Sequence, residues 1–292
     1  MCRFVAYLGT PILASELFTK PKNSLIHQSY HAQETDMPLN GDGFGLGWYN
    51  KKIREEPGIL KSITPAWNNQ NLKRNAGILE SNCFFAHIRA ATEGRVSEEN
   101  SHPFRYNQYL MMHNGSVSEF GEIKRDLINR LSNNYYQWIK GQTDTEHVFA
   151  LFMQNVSDMS GGKEGKDLSL EFLAKCFKKT FTDVEELKKA RGLKGTSVYN
   201  LVITDGYRLM ATRYSTKPKE DTRTLYFARG KKYVCEGNVC RMIEDGGKPK
   251  SILVVSEKLD EFVEEWIKVP ENHALLVEKD LSVEVVNLDE VE

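Results

Sequence analysis

The chain has 292 residues, of which 40% are hydrophobic and 27% are charged, a composition typical of a soluble globular protein with a sizeable core. Its 39 basic and 40 acidic residues give a net charge of -1, so we expect no surface that attracts nucleic acid or an anionic membrane. No run of about 18 apolar residues occurs, so no membrane-spanning helix is expected. These properties favour chemistry on a small molecule.

The cysteines form no C-x-x-C pair and no Cys/His cluster with the spacing of a zinc site. Their odd number, five, argues against a full disulfide framework. We therefore expect a reducing, cytoplasmic environment and neither a metal nor a cofactor. The apolar stretch 4–18 is not typical of a signal peptide, because Pro11 and Glu16 interrupt it. The cysteines are Cys2, Cys83, Cys176, Cys235 and Cys240.

Side-chain periodicity predicts an α+β protein with strands towards both ends and helices in the middle. This order is typical of a layered fold rather than of repeated βαβ units, and we expect one domain with two stacked sheets. The predicted strands lie at about 2–9, 43–50, 83–91, 108–113, 196–204, 207–214, 223–229, 251–256, 273–278 and 282–287. The predicted helices lie at about 68–80, 118–132, 144–156, 167–180 and 183–190.

The chain opens "MCRFVAYLG", which places Cys2 between the initiator Met1 and the first predicted strand. Removal of Met1 would leave a first residue that carries both a thiol and a free α-amine, which titrate near ~8.5 and ~7.7–8.0 in model compounds. Such a residue is a nucleophile with its own base. The alternative is that Cys2 has no chemical role.

The glycine-rich stretch "LNGDGFGLGWYN" (39–50) resembles a phosphate-binding loop only superficially. Its glycines alternate with Phe44, Leu46 and Trp48, and neither a helical pattern nor a GK[ST] ending follows. Glycine at alternate positions predicts a strand with one face that another backbone or a ligand can approach closely.

The next strand, "FFAHIRAAT" (84–92), delivers Arg89 and Thr92 at its end. A planar guanidinium suits a carboxylate, and in an apolar strand it would be costly to leave unpaired. The partner of Arg89 is therefore either a substrate carboxylate or an internal Asp or Glu. We expect His87, His102 and His113 to be buried histidines rather than bases, because the α-amine of residue 2 already fills that role.

The strand in "MMHNGSV" ends at His113, Asn114 and Gly115. A turn at Gly115 would aim its backbone N–H and the Asn114 side-chain amide into one space, where they can stabilise the oxyanion of an amide under attack. The alternative is an ordinary Asn-Gly hairpin turn.

A helix start is recognisable in "QTDTEHVFALF", where Thr143 and Glu146 fit a T-x-x-E capping box. Asp144 falls at the first helical position, where the helix dipole keeps a carboxylate ionised. Asp144 either holds a cation or serves only to begin the helix.

Six stretches, "MCRF", "NGDGFG", "HIRAAT", "SHPF", "HNG" and "TDTE", occur in the order and rough spacing of the class II glutamine amidotransferases, which the chain resembles. These are N-terminal-nucleophile hydrolases with a four-layer αββα sandwich of two mainly antiparallel sheets. The resemblance implies a single domain over residues 2–292. Its motifs lie in a core of about 2–160, and strands of about 196–290 complete the sandwich.

The resemblance also implies a catalytic mechanism. Cys2 matches the nucleophile, which forms a thioester, and its freed α-amine matches the base. Asn114 and the Gly115 N–H match the oxyanion hole. In one respect the chain differs, since many relatives have an arginine in the loop before the aspartate of "NGDG" and this chain has Asn40 in that region.

Substrate binding follows from the same resemblance. Arg89, helped by Thr92, matches the group that binds the α-carboxylate of a γ-glutamyl substrate, and Asp144 matches the group that receives its α-ammonium. Both charges belong to one substrate, so the resemblance supplies partners for Arg89 and Asp144. No cofactor and no metal is implied.

Within the family, "SITPAWNNQNL" (62–72) is similar to the amidotransferase-like subunits of glutathione-degradation complexes. This implies hydrolysis of glutathione or a related γ-glutamyl thiol peptide, together with a peptidase-like partner subunit. Trp67, Asn68, Asn69 and Gln70 are candidates for contacts with the leaving group, or else form a helix N-cap beside a packed tryptophan. The alternatives are a glutaminase, a γ-glutamyl hydrolase of ergothioneine-type biosynthesis, and a catalytically silent regulatory subunit.

Overall fold

Two antiparallel sheets and the helices that cover them form the regular structure of the chain. A computed structural model describes residues 2–35, 37–91, 94–163, 168–217, 223–237, 239–244 and 246–291. The strands are β1 (Arg3–Leu13), β2 (Phe44–Trp48), β3 (Gly58–Ser62), β4 (Glu80–Ile88), β5 (Phe104–Tyr106), β6 (Tyr109–His113), β7 (Val198–Thr204), β8 (Leu209–Ser215), β9 (Tyr226–Gly230), β10 (Lys232–Glu236), β11 (Val239–Ile243), β12 (Ser251–Val255), β13 (Ile267–Lys268), β14 (His273–Val277) and β15 (Val283–Asn287). The helices are α1 (Ser15–Phe18), α2 (Leu25–His31), α3 (Gln70–Ala76), α4 (Phe120–Asn129), α5 (Asn133–Trp138), α6 (Asp144–Ser160) and α7 (Leu170–Ala190), with short 3-10 turns at Ala66–Asn68 and Val263–Glu265.

The larger sheet has the order β13-β9-β12-β1-β4-β2-β3, and the smaller sheet has the order β15-β14-β8-β7-β6-β5. The N-terminal strand β1 therefore lies inside the larger sheet, between β12 and β4, and pairs antiparallel with both. A central strand covered on both faces must be apolar on both, which explains the unbroken apolar run after Arg3. This location also places Cys2 and Arg3 at an end of the larger sheet.

Three apolar clusters separate the layers of a four-layer sandwich. Phe4 and Ala6 of β1 pack with Leu110 of β6 and Leu275 of β14, so this cluster lies between the two sheets. Val5 of β1 faces the other way, in a cluster that includes residues of α1, α2 and α3. Helices α4 to α7 cover the far face of the smaller sheet in the third cluster. The predicted αββα sandwich is confirmed.

One helix is longer than its sequence predicted. The two helices expected at 167–180 and 183–190 are a single helix, α7, which continues through 181–182 and keeps the polar Asp183 buried. The Asp183 carboxylate accepts hydrogen bonds from Arg130 and Asn155, both at 2.9 Å, and also pairs with Lys179. A buried aspartate with these partners is tolerated within the helix, so the pattern breaks while the helix continues.

The sequence did not predict the hairpin of β10 and β11. Cys235 and Cys240 face each other across its two strands and form a disulfide. This disulfide was not predicted, because the odd number of cysteines argued against a full disulfide framework and the pair meets only through the pairing of β10 with β11. Short elements with weak patterns were also missed, namely β3, β5, β13, α1, α2 and α5.

The alternate glycines of β2 give the close approach that was predicted. A Cβ atom at Gly45 would lie 1.9 Å from the His102 carbonyl oxygen, and one at Gly47 would lie 2.5 Å from Leu110 Cδ1. The "SHPF" segment and the smaller sheet therefore lie directly against this face of β2. Glycine is required here for space.

Candidate active site

Cys2 lies at the end of the larger sheet, just before β1. The register of β1 and β4 pairs Arg3 with Ile88, so Cys2 comes next to Arg89. Its Sγ lies 3.4 Å from the Ala90 carbonyl oxygen and 3.4 Å from the Ala90 backbone nitrogen. The thiol of the predicted nucleophile thus lies beside the segment that follows Arg89.

Although Cys2 as a residue is partly exposed, the surroundings of its sulfur determine its protonation. Burial raises the pKa of the Cys2 thiol, against the lowering effects of its hydrogen bond with Ala90, the N-terminal charge and Arg89, and the charge of Asp144 raises it further. A thiol with a raised pKa is protonated at neutral pH, so it is a weak nucleophile on its own. Attack by Cys2 therefore requires an adjacent base.

The Arg89 side chain is buried, and the loop that follows it supplies hydrogen-bond acceptors. Its Nη1 donates to the Arg95 carbonyl oxygen at 3.0 Å and its Nη2 to that of Gly94 at 3.4 Å. Its backbone is fixed by the glycine-rich segment, since Arg89 N–H donates to Gly43 O at 2.9 Å and Asp42 N–H donates to Arg89 O at 3.0 Å. Thr92, which was predicted to assist Arg89, lies outside the described residues.

Asn114 and Gly115 follow β6 directly, as predicted. The backbone N–H of Asn114 donates to Asn200 O at 2.9 Å, and Ser116 pairs with Val198, so both sides of Gly115 are fixed. Among the described residues, neither the Asn114 side-chain amide nor the Gly115 N–H donates a hydrogen bond to another protein atom. Two donors on a fixed backbone are the arrangement that an oxyanion requires.

Asp144 begins α6 and supports the loop that follows Gly115. Its Oδ2 accepts from the Val117 backbone N–H at 2.8 Å, and its Oδ1 accepts from the Thr145 backbone N–H at 2.7 Å. Thr143 caps the helix as predicted, because its side chain accepts from Glu146 N–H. The Glu146 carboxylate binds the backbone N–H groups at 140 and 141, so only half of the predicted capping box forms.

His87, His102 and His113 are buried, as predicted. His87 Nε2 lies 3.1 Å from the His113 carbonyl oxygen and 2.9 Å from His102 Nδ1. Burial lowers the pKa of His87 to about 3 and also lowers the pKa of His102 and His113. His113 Nδ1 lies 2.9 Å from the hydroxyl of Thr145. Neutral rings in these positions hold the backbone of the "HNG" segment.

The segment 67–70, the candidate for contacts with the leaving group, includes both a helix cap and exposed side chains. Asn69 is the N-cap of α3 and accepts from Leu72 N–H at 2.8 Å, so its side chain is already used. Trp67 is half-buried, with its ring 6.3 Å from that of Tyr30 and its Cη2 close to Gly41, where an added Cβ would lie 2.9 Å away. Asn68 and Gln70 are exposed.

Sequence reasoning assigned no role to Arg3 and Glu257, which lie beside Cys2. Arg3 Nη1 donates to the Cys2 carbonyl oxygen at 3.0 Å, and its Nε donates to Glu257 Oε2 at 2.8 Å. Both side chains are buried. The available signals were an arginine directly after the candidate nucleophile and a glutamate at the end of a buried strand.

Within the described residues, no group of three or more His, Cys, Asp or Glu side chains is arranged to hold a metal ion. None of the described helices has the length and apolar character needed to cross a membrane.

The sequence of the chain is similar to those of known proteins. The family model described as Glutamine amidotransferases class-II matches residues 13–269, a range that includes Arg89, Asn114, Gly115 and Asp144 and begins after Cys2. A Saccharomyces cerevisiae protein named "Probable glutamine amidotransferase DUG3" is 35% identical over 96% of this chain and 82% of its own length. The gamma-glutamyl-hercynylcysteine sulfoxide hydrolase of Mycolicibacterium smegmatis is 35% identical over 40% of this chain and 52% of its own.

Solved structures share the fold. A glutamine aminotransferase class-II domain protein from Silicibacter pomeroyi superposes with a TM-score of 0.67 at 22% identity, over 98% of this chain and 99% of that one. The glutamine phosphoribosylpyrophosphate amidotransferase of B. subtilis superposes with a TM-score of 0.61 at 16% identity, over 98% of this chain and 49% of that one.

Proposed function

Because the chain belongs to the class II glutamine amidotransferases, we propose that it hydrolyses a γ-glutamyl amide bond through Cys2. The observation that carries the proposal is the position of the Cys2 thiol, in contact with Ala90 and beside Arg89, at the end of a strand fixed on both sides. A glutamyl group bound by Arg89 would bring its γ-carbonyl towards this sulfur.

The reaction begins when the α-amine of Cys2, freed by removal of Met1, takes the thiol proton. The sulfur then bonds to the γ-carbonyl carbon, and the resulting oxyanion accepts hydrogen bonds from the Asn114 amide and the Gly115 N–H. Collapse breaks the C–N bond as the ammonium returns its proton to the leaving nitrogen. Water, deprotonated by the same amine, then attacks the thioester, and glutamate leaves as the thiol is restored.

Two charges bind the substrate in this proposal. The guanidinium of Arg89 binds the α-carboxylate, with help from Thr92, because its planar group matches the two carboxylate oxygens. The Asp144 carboxylate receives the α-ammonium. Its hydrogen bonds from Val117 and Thr145 use part of the capacity of its oxygens and leave room for a further donor.

For the leaving group we propose the remainder of glutathione or of a related γ-glutamyl thiol peptide. The name of the Mycolicibacterium relative, a hydrolase of a γ-glutamyl derivative of a cysteine sulfoxide, supports a γ-glutamyl substrate whose leaving group contains cysteine. The similarity of "SITPAWNNQNL" to the amidotransferase-like subunits of glutathione-degradation complexes supports glutathione. The exposed side chains of Asn68 and Gln70 and the half-buried ring of Trp67 offer the contacts for a peptide-like group. A peptidase-like partner subunit would complete the site, and we propose a cytoplasmic location for both.

Purified protein, alone and with any partner that co-purifies, should be compared for glutamate release from glutathione, glutamine and γ-glutamyl-hercynylcysteine sulfoxide. We expect glutathione to be the preferred substrate in at least one of the two preparations. Efficient hydrolysis of glutamine with glutathione untouched would indicate a glutaminase instead. Preference for the sulfoxide would indicate an ergothioneine-type hydrolase, and no turnover of any of the three would indicate a silent subunit.

A further inference from the structure

The guanidinium of Arg3 joins the nucleophile to two other parts of the chain. Besides its bonds to the Cys2 carbonyl oxygen and to Glu257, its Nη2 donates to the Glu34 carbonyl oxygen at 2.8 Å. Each of its three nitrogens thus has a different acceptor. Arg3 is 2% exposed, so water does not compete for these bonds.

Both oxygens of the Glu257 carboxylate also accept hydrogen bonds. Its Oε1 accepts from the Asn23 amide and the Gln33 backbone N–H, both at 2.9 Å, and its Oε2 accepts from Arg3 at 2.8 Å and from the Glu34 backbone N–H at 3.1 Å. A buried carboxylate that accepts from four donors, one of which is the Arg3 cation, is ionised and fixed in place. The carboxylate therefore holds both Arg3 and the segment at 33–34.

Strand pairing accounts for the meeting of these two residues. Val5 of β1 pairs with Val255 of β12, and continuing that register by two residues brings Arg3 opposite Glu257. The bonds between Phe4 and Ser256 continue the ladder in between, at 2.9 Å from Phe4 N–H to the Ser256 hydroxyl and 3.2 Å from Ser256 N–H to Phe4 O. The ion pair thus closes the end of the sheet where Cys2 lies.

A nucleophile at a chain terminus needs additional contacts to hold it in position. Once Met1 is removed, Cys2 is attached to the protein through one peptide bond, and terminal residues without additional contacts are mobile. Asn40, in the region where many relatives have an arginine, does not serve this purpose, because its amide donates to Gln28 O and Pro38 O. The Cys2 carbonyl is held by Arg3 instead.

We propose that Arg3 and Glu257 are positioning residues, which fix the main chain of Cys2 so that its sulfur faces the γ-carbonyl of the bound substrate. The proposal rests on the proposed role of Cys2 as the nucleophile. It assigns the two residues no direct contact with substrate, so they act on the chemical step and not on substrate affinity.

The test is Arg3→Lys, which keeps the charge but has a single nitrogen that cannot occupy three positions at once. Since a misplacement of about 1 Å costs about 10²-fold in rate, kcat for γ-glutamyl hydrolysis should fall by about 10- to 100-fold. The Kd for the product glutamate should stay within about twofold, because Arg89 and Asp144 are unchanged. Arg208→Lys is the matched control, since Arg208 forms a comparable ion pair with Asp205 at 2.9 Å and binds the Leu168 carbonyl.

A second measurement needs no substrate turnover. The rate at which iodoacetamide alkylates Cys2 should rise in Arg3→Lys, because the released terminal residue leaves its partly buried position beside Ala90, while Cys83 and Cys176 stay protected in the core. If the wild-type protein hydrolyses no γ-glutamyl compound, the proposed function fails, and this rate still decides whether Arg3 positions Cys2. Arg208→Lys should leave it unchanged.

Glu257→Asp shortens the side chain by one methylene and should likewise lower kcat while leaving the Kd for glutamate unchanged. It is the deciding variant if Arg3→Lys does not fold. An unchanged kcat together with an unchanged alkylation rate would overturn the proposal. The proposal would also be overturned if Arg3→Lys and Arg208→Lys lost kcat and glutamate affinity to the same extent. Failure of both Arg3→Lys and Glu257→Asp to fold would overturn it as well, because either result indicates that Arg3 and Glu257 have a purely structural role.

Discussion

Gly115→Ala tests the oxyanion hole through a single added carbon atom. The Cβ would lie 2.1 Å from the Val198 carbonyl oxygen and 2.2 Å from His113 Nε2, whereas real Cβ contacts below 3.0 Å are essentially absent. Val198 O already accepts from Ser116 N–H at 3.1 Å and lies 2.8 Å from His113 Nε2, so it cannot simply move aside. The backbone at Gly115 must therefore shift by about 1 Å, a displacement that costs about 10²-fold in rate when it affects a reacting group.

This shift of the backbone should lower both kcat and the free energy of unfolding. Loss of one oxyanion donor costs about 10²–10³-fold in kcat, so we expect a fall within that range. Overpacking of this kind lowers the free energy of unfolding by about 1–3 kcal/mol. Because Arg89 and Asp144 lie on other elements, the Kd for glutamate should change little.

The assay is glutamate release under saturating substrate, with thermal unfolding measured on the same preparations. Gly121→Ala is the control, since Gly121 lies in α4 and an added Cβ there would meet no atom within 4 Å. That substitution should leave kcat unchanged and raise the free energy of unfolding by about 0.4–1 kcal/mol. A Gly115→Ala protein with wild-type kcat would refute the assignment of the Gly115 N–H.

Three further outcomes are expected. Arg89→Lys and Asp144→Asn should raise KM more than they lower kcat, because each residue binds a charge that the substrate carries before and after attack; wild-type KM in both would contradict this. Active protein should lack Met1 by mass spectrometry, and turnover by Cys2→Ala would exclude the thioester. Burial opposes ionisation of Glu257, but its hydrogen bonds and Arg3 hold its pKa below the ordinary value. The Tm of wild type should therefore exceed that of Glu257→Gln by its largest amount above pH ~4.3, and this difference should shrink as the pH falls through the pKa of Glu257 in the folded protein. A difference in Tm that does not depend on pH would contradict an ionised Glu257 carboxylate.

The parts of the fold that were predictable are those with strong local patterns. The apolar run after Arg3, the "FFAHI" strand and the Thr143 cap of α6 each carry their signal within about ten residues, and each forms where it was predicted, although Glu146 does not complete the capping box. The continuity of α7 was not predictable from its own sequence, because the buried Asp183 finds its partners elsewhere in the chain, in Arg130 just after α4 and Asn155 of α6. The hairpin with Cys235 and Cys240 has five residues per strand and a weak alternation, so neither it nor its disulfide was expected.

Some residues of the candidate site could likewise be predicted from the sequence and others could not, for a physical reason. Cys2, Arg89 and Asn114 each stand at or just beyond the end of an apolar strand, where a polar side chain is conspicuous against its neighbours. Arg3 and Glu257 are 254 positions apart, and what joins them is the antiparallel register of β1 and β12. Each taken alone is a charged residue at a strand end, of the kind that usually faces solvent. A side chain that acts on substrate can thus be suggested by its own stretch of sequence, whereas a side chain that holds the nucleophile in place becomes apparent only when the strands are paired.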